Sequence, residues 1–418
     1  MFHKRFQQET CNRRDFISAA SILVVGGMIS CNHSGGDAAS EEKKQSNNIF
    51  PVPTTQITMR VRVGSARSKS GFVIDGDQIY ISQKGWSTPR TSKLSPDINS
   101  KHELWIHNGG SHKISVLEKT KSFTGKVSLH KRPDVSNYAF DIVAHIPMET
   151  YLPGVVAGEL FSHWHPNTFA AQVVAARSYA TTQHLQRKLT SHFDVSDGPS
   201  SQVFLGDVTL EVAHRSVKDT ENVVLTWNNS VVPAYYSACC GGLAATAKDA
   251  IGPSPLHNIL PLQGRDGSDV CTTLDIHKWQ TERSHRNFKN RLVTWASSST
   301  TRVIRELQSI KTIMPTHTNK HGRPTKLEIV DRKGATFPID AKNIVRAANA
   351  LYPSIPDPTT RVWSSYLTAS GVGKNIEISG FGMGHGVGLC QYGSQVLAGK
   401  GASWEHIVEQ YYPGSKLL

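Results

Sequence analysis

Pro166-Asn-Thr-Phe-Ala-Ala-Gln-Val-Val-Ala-Ala-Arg-Ser-Tyr-Ala180 carries a helical period. Phe169, Val173, Ala176 and Ala180 recur at spacings of four and three, one face of a 3.6-residue repeat. Pro166 falls where a first helical turn tolerates proline. The run Ala170 to Ala180 is rich in small side chains, so neighbours can approach closely and the helix is expected at the centre of the fold. On its N-terminal side the period is two. Ile57-Thr-Met-Arg-Val-Arg-Val63 alternates cleanly, and Gly71 to Ile81 reads as strand, Asp-Gly turn, strand. Leu104–Ile106, Ile114–Val116 and Tyr138–Val143 continue the series.

On the C-terminal side the elements mix. Val223–Trp227 and Val231–Tyr236 read as a hairpin through Asn228-Asn-Ser230. Residues 272–322 read as charged and mostly helical. Thr325 to Ile339 reads as two strands around Asp331–Gly334, followed by a helix over Ala341–Leu351. A strand at Ile376–Ile378, a glycine-dense segment and helices near Tyr392–Gly399 and Trp404–Tyr411 close the chain. These patterns predict an α+β protein with a β-rich lobe over 57–150 and a mixed helical and strand lobe over 151–418.

The chain has 418 residues, with 46 Lys and Arg against 33 Asp and Glu, a net charge of +13. Hydrophobic residues are 38% and charged residues 19%, which excludes wholesale disorder. No apolar run reaches the roughly 18 residues of a spanning helix. The charge calls for an anionic partner.

Residues 1–30 read as an export signal. Asn12-Arg-Arg-Asp-Phe-Ile17 looks like a twin-arginine motif, Phe16 to Ser30 is apolar and small, and Met28-Ile-Ser-Cys31 resembles a lipoprotein cleavage box. Lipidation would make Cys31 the first mature residue and the membrane anchor, so Cys31→Ala should release the chain from membranes. A plain signal peptide is the alternative. Residues 31–56 are polar and aperiodic, the composition of a flexible tether. The signal carries Lys4, Arg5, Arg13 and Arg14 against Glu9 and Asp15, so its removal leaves +11. Export and the lack of any DNA- or RNA-binding motif argue against nucleic acid as the partner.

Five motifs follow in order: Tyr151-Leu-Pro-Gly-Val-Val-Ala-Gly-Glu-Leu160, Ala171–Ala180, the loop Asp194–Gly206, Tyr236-Ser-Ala-Cys-Cys-Gly-Gly242, and Met383-Gly-His-Gly-Val-Gly-Leu-Cys-Gln-Tyr-Gly393 with Tyr411-Tyr-Pro-Gly414. Together they resemble the sporulation stage II protein D (SpoIID/LytB) family over roughly residues 60–418. The resemblance implies a concave glycan-binding cleft and a lytic transglycosylase that cuts peptidoglycan strands denuded of stem peptides. It also implies, in other members, a non-catalytic partner of a cell-wall amidase.

By that resemblance Glu159 is the catalytic acid. Its place before Leu160, Phe161 and Trp164 surrounds it with apolar side chains that would favour the protonated form until it donates to a glycosidic oxygen. A solvated acid near a helix end is the plain alternative. Arg177, among alanines, either faces a cleft, where it suits a lactyl carboxylate, or pairs with a buried acid. Ser178, Gln202, Tyr236, His385, Gln391 and Tyr392 are further substrate-binding candidates. For Gln202 and Tyr236 a loop-structural role stands beside binding. For His385 and its glycines, tight strand packing is the alternative to a cleft.

The implied chemistry needs no cofactor. Some family members hold zinc with cysteine and histidine near the hairpin motif, but here no histidine lies in Val231–Tyr236, and Cys390 stands where serine is usual. His163-Trp-His165 has no third ligand at convincing spacing. Linear spacing therefore supports no zinc site. Cys239, Cys240, Cys271 and Cys390 are left open between thiols, disulfides and a metal.

Overall fold

The computed structural model describes residues 50–418, apart from 67–71, 75–76, 83–84, 88–95, 101–102, 117–118, 133–139, 199–200 and 300. The signal, the anchor at Cys31 and the tether up to residue 49 lie outside the described residues.

A nine-stranded sheet is built from β1 (Thr58–Ala66), β2 (Phe72–Ile74), β3 (Asp77–Ser82), β4 (Gly85–Ser87), β5 (Pro96–Ser100), β6 (Glu103–Val116), β7 (Lys119–Lys131), β8 (Phe140–Pro147) and β9 (Val195–Ser196). Its order is β4-β3-β2-β6-β7-β8-β1-β9, with β5 paired to β6. The two short apolar stretches at 104–106 and 114–116 belong to one long strand, β6, whose register against β7 shifts between Ile106 and Gly110. Alternate residues of β1 and β8 (Met59, Val61, Ile142, Ala144, Ile146) are buried. They lie in one hydrophobic cluster with the helices Met148–Glu159 and Pro166–Arg187.

The central helix Pro166–Arg187 forms as its period predicts, with Pro166 in the first turn and His165 as N-cap, its Nδ1 accepting from the Asn167 N–H at 3.1 Å. His163 is exposed. The approach to Glu159 is helical, over Met148–Glu159 with Pro153 inside it.

The hairpin of β10 (Leu225–Trp227) and β11 (Ser230–Val231) turns through Asn228 and Asn229, both at positive φ, a conformation asparagine tolerates. β12 (Tyr236–Ser237) then leaves the hairpin and runs parallel to β19 (Leu389–Cys390), while β20 (Lys416–Leu417) pairs with β10.

A second hydrophobic cluster lies within residues 278–381. Its six-stranded sheet contains β13 (Lys278–Ser284), β14 (Thr312–Thr318), β15 (Pro324–Val330), β16 (Thr336–Asp340), β17 (Leu367–Val372) and β18 (Asn375–Phe381), in the order β13-β18-β17-β14-β15-β16. Helices His285–Ser297 and Ala341–Ala348 contribute Phe288, Leu292 and Ile344 to that core. The expected helical stretch 272–322 is thus helical only in part, because Thr281 and Arg283 alternate with exposed neighbours and make β13 a strand. The apolar cores divide around 278–381 rather than at residue 150.

Three half-buried histidines predict acid sensitivity. His130 and His145, both bonded to Ser128 Oγ at 2.7 Å, are pushed down to about 4, chiefly by burial. Burial, then the nearby Arg323 charge, does the same to His385. Each is neutral when folded, while an unfolded histidine protonates near 6.5. The stability they supply is therefore present above about pH 6.5 and lost as pH falls toward 4, by at most about 3 kcal/mol per histidine. Asp194, where hydrogen bonds from His184 and Arg60 outweigh burial, loses its contribution only below the ordinary carboxylate range. Melting temperatures should fall steeply between pH 6.5 and 4; a flat profile across that window would contradict the assignment.

Candidate active site

Glu159 is the last residue of its helix. Gly154 and Gly158, one turn apart, form a bare face on which the loop 202–206 seats. A Cβ on Gly154 would lie 2.2 Å from the Gly206 carbonyl oxygen, and one on Gly158 would lie 2.8 Å from Val203 Cγ1. The Leu205 N–H donates to the Gly154 carbonyl at 3.1 Å. This close approach brings the Val203 N–H to Glu159 Oε1 at 3.1 Å. From the opposite end of the sequence, Gln391 Nε2 donates to Glu159 Oε2 at 3.4 Å. Each carboxylate oxygen therefore meets an N–H donor, where sequence reasoning expected apolar surroundings.

Gln391 also donates to Gln172 Oε1 at 3.3 Å, which ties the carboxylate to the central helix. Gln172 is fully buried and its Nε2 has no partner among the described residues. Beside this runs a second chain of bonds. Tyr151 OH donates to Gln202 Oε1 at 3.2 Å, and Gln202 Nε2 donates to Tyr236 OH and the Ala176 carbonyl, both at 3.1 Å. Tyr151 and Tyr236 are raised well above the ordinary phenol range, first by burial, with the Glu159 charge adding to both. Both remain protonated and able to donate. Gln202, Tyr236 and Gln391 are thus gathered around Glu159. Sequence reasoning passed over Tyr151 and Gln172; an amide inside the apolar run Phe169–Ala176 was the available signal for the second.

Residues 136–227, which contain the helix of Glu159, the central helix and the loop, match the stage II sporulation protein family, SpoIID. This segment is a SpoIID domain. Residues 253–388 match a domain of unknown function. Two proteins of Bacillus subtilis are similar to the chain. The amidase enhancer is 26% identical over 290 residues, 64% of this chain, and the chain spans only 40% of that relative's length. Stage II sporulation protein D is 23% identical over 329 residues, 73% of this chain and 85% of the relative. An uncharacterized protein of Brachyspira hyodysenteriae is 26% identical over 278 residues, 66% of this chain and 68% of the relative.

The SpoIID domain itself contains Glu159, Arg177, Ser178 and Gln202; Tyr236, His385, Gln391 and Tyr392 lie beyond it. Arg177 is 2% exposed. Nε and Nη2 grip Glu149 at 2.9 and 2.7 Å, and the remaining N–H groups reach the Val223 and Val217 carbonyls and Thr220. That is the buried ion pair rather than a contact to a lactyl carboxylate. Ser178 is fully buried and accepts from the Leu225 N–H at 2.8 Å, which pins the hairpin to the central helix of the SpoIID domain. Tyr392 is buried edge-on to Trp164, ring centres 5.0 Å apart, away from the role expected of a sugar-facing ring.

The glycine-dense segment resolves toward packing. Gly382, Gly384, Gly386 and Gly388 all have positive φ. A Cβ on Gly388 would lie 2.1 Å from the Tyr235 carbonyl oxygen, and one on Gly386 would lie 2.7 Å from the Arg323 guanidinium. The segment lies against the 235–242 strand and turn. His385 is half-buried, edge-on to Tyr235, with Nδ1 accepting from the Val387 N–H at 3.0 Å. Cys239, Cys240, Cys271 and Cys390 are buried, and none is in a disulfide.

Proposed function

We propose that the chain is a lytic transglycosylase of the cell wall that cleaves peptidoglycan glycan strands, with Glu159 as its single general acid and base. The SpoIID match and the two Bacillus subtilis relatives support a cell-wall role. The observation that carries the finer reading is the seating of Glu159, with one donor on each oxygen, where the loop, the central helix and the helix Gln391–Gly399 converge.

In this reading the protonated carboxyl gives its proton to the glycosidic oxygen as the C1–O bond breaks. The resulting carboxylate takes the proton of the 6-hydroxyl on the same sugar, and that oxygen bonds to C1. The proton is returned, no water is consumed, and the product ends in a 1,6-anhydro sugar. Hydrolysis would require a second carboxylate or its equivalent to activate water; this route needs one group that exchanges a proton twice. The groups gathered at Glu159 are a backbone N–H, amides and phenols, which can bind sugar hydroxyls. The preference for strands without stem peptides follows from the family resemblance, and membrane anchoring through Cys31 belongs to the same reading.

The test is mass analysis of glycan strands, with and without stem peptides, after incubation with the purified chain. Anhydro ends on peptide-free strands are expected; reducing ends would mean hydrolysis. A second reading is favoured by the relative named amidase enhancer: a non-catalytic protein that binds peptidoglycan and stimulates an amidase. It requires strands to stay uncut while stem-peptide release by an added amidase rises.

A further inference from the structure

Three cysteines and an aspartate far apart in sequence meet at one buried point. The ligand atoms of Cys240, Asp269, Cys271 and Cys390 all lie within 4.8 Å of one another. Cys240 follows β12, Asp269 and Cys271 lie on a loop and short 3-10 helix, and Cys390 caps the helix Gln391–Gly399. The Cys240 and Cys271 sulfurs are 3.7 Å apart. A disulfide would need about 2.05 Å. Two thiolates on one tetrahedral zinc, each at roughly 2.3 Å, sit about 3.8 Å apart.

The surroundings suit thiolates. The N–H groups of Cys240 and Gly393 point at Cys390 Sγ at 3.3 and 3.4 Å, and Arg265 Nη2 points at Cys240 Sγ at 3.4 Å. Arg265 also pairs with Asp269, whose Oδ2 accepts from Tyr411 OH at 3.0 Å. Arg323 is 1% exposed, donates to the Cys240 and Leu243 carbonyls, and has no carboxylate partner among the described residues. Three thiolates and one carboxylate around a dication leave a charge of −2, which the two buried guanidiniums offset. Without that negative charge, Arg323 would be a buried cation facing neutral thiols, a costly arrangement.

We propose that Cys240, Asp269, Cys271 and Cys390 bind one Zn²⁺ in a closed, four-coordinate structural site. Soft sulfur donors with one hard oxygen select zinc over magnesium or calcium. Four protein ligands leave no open position for substrate, so the ion acts on the fold. It clamps the turn after β12, the segment 269–271 and the start of the helix that opens with Gln391. This set contains no histidine, and three of its ligands lie outside the hairpin motif.

The full chain, purified under reducing conditions without chelators, is expected to carry about one zinc per molecule by elemental mass spectrometry. Stripped chain titrated with Co²⁺ should develop a thiolate-to-cobalt charge-transfer band that saturates at one equivalent. Chelation should lower the melting temperature of the wild-type chain. Cys271→Ser and Cys390→Ser should each abolish retention of zinc, and Asp269→Asn should weaken it while keeping the cobalt band. If the serine variants fail to fold, the cobalt titration of the wild-type chain still decides. No bound metal together with no cobalt band overturns the proposal. So does an intact mass two hydrogens short, which marks a disulfide, or iron in place of zinc.

Discussion

Glu159→Gln is expected to abolish strand cleavage, by at least about a hundredfold and up to about ten-thousandfold, the range supplied by a positioned general acid. The substitution keeps shape and removes only the exchangeable proton. Its new amide can still accept the Val203 N–H that Glu159 Oε1 accepts at 3.1 Å. At the other oxygen the introduced NH2 would face the Gln391 Nε2 donor. Turning over the Gln391 amide removes that conflict and presents an oxygen to Gln172. Turning over Gln172 in response brings its Nε2, now unpartnered, into a bond. The variant should therefore melt close to the parent, and product analysis should show intact strands. Cleavage at the parental rate would remove Glu159 from the chemistry. Loss of cleavage with retained stimulation of an amidase would separate two activities on one surface.

Arg177→Met should destabilise the protein by roughly 3–5 kcal/mol, the cost of stranding one partner of a buried pair. Glu149 is 17% exposed in its side chain, and its carboxylate would lose both contacts to the guanidinium. The Val217 and Val223 carbonyls would lose their donors as well. Removing Glu149 too should recover part of the loss, because two well-packed apolar side chains leave no charge behind. Denaturant unfolding of the two single variants and the double variant measures this. A substrate-contacting arginine would behave differently: stability would hold, and affinity would fall for peptide-free strands more than for intact ones.

The central helix was legible because Phe169, Val173, Ala176 and Ala180 repeat on one face, and β1 because its residues alternate. The helix Met148–Glu159 was not. Pro153, Gly154, Val155, Val156 and Gly158 are poor helix formers, and what sustains the helix is burial of Tyr151, Leu152, Val155 and Val156 together with the loop seated on its glycine face. Local propensity lost there to tertiary packing. In Lys278–Ser284 the charges concealed a strand, since Arg283 is 6% exposed and spends its guanidinium on backbone carbonyls. Around Glu159 the sequence named the acid, Gln202, Tyr236 and Gln391 but not their connections, because Gln391 and Gln172 stand 219 positions apart. The cysteine cluster was hidden for the same reason: its members come from three segments that only the folded chain brings together.

The pairing of Lys278 with Phe381 at the base of the six-stranded sheet has a consequence for how such a chain can be assembled. The backbone departs from the main body and comes back one ladder rung away, about 5 Å. The backbone of 278–381 enters and leaves through that two-strand stem, so excising it would leave two ends that a tight turn could join. Chain connectivity then treats the lobe as a cassette, open to gain, loss or exchange without rerouting the backbone on either side. Cys271 and Cys390 stand just outside the two ends of the stem, and a bond between them through a shared ion would hold the socket closed, with Arg323 of the present cassette offsetting part of its charge.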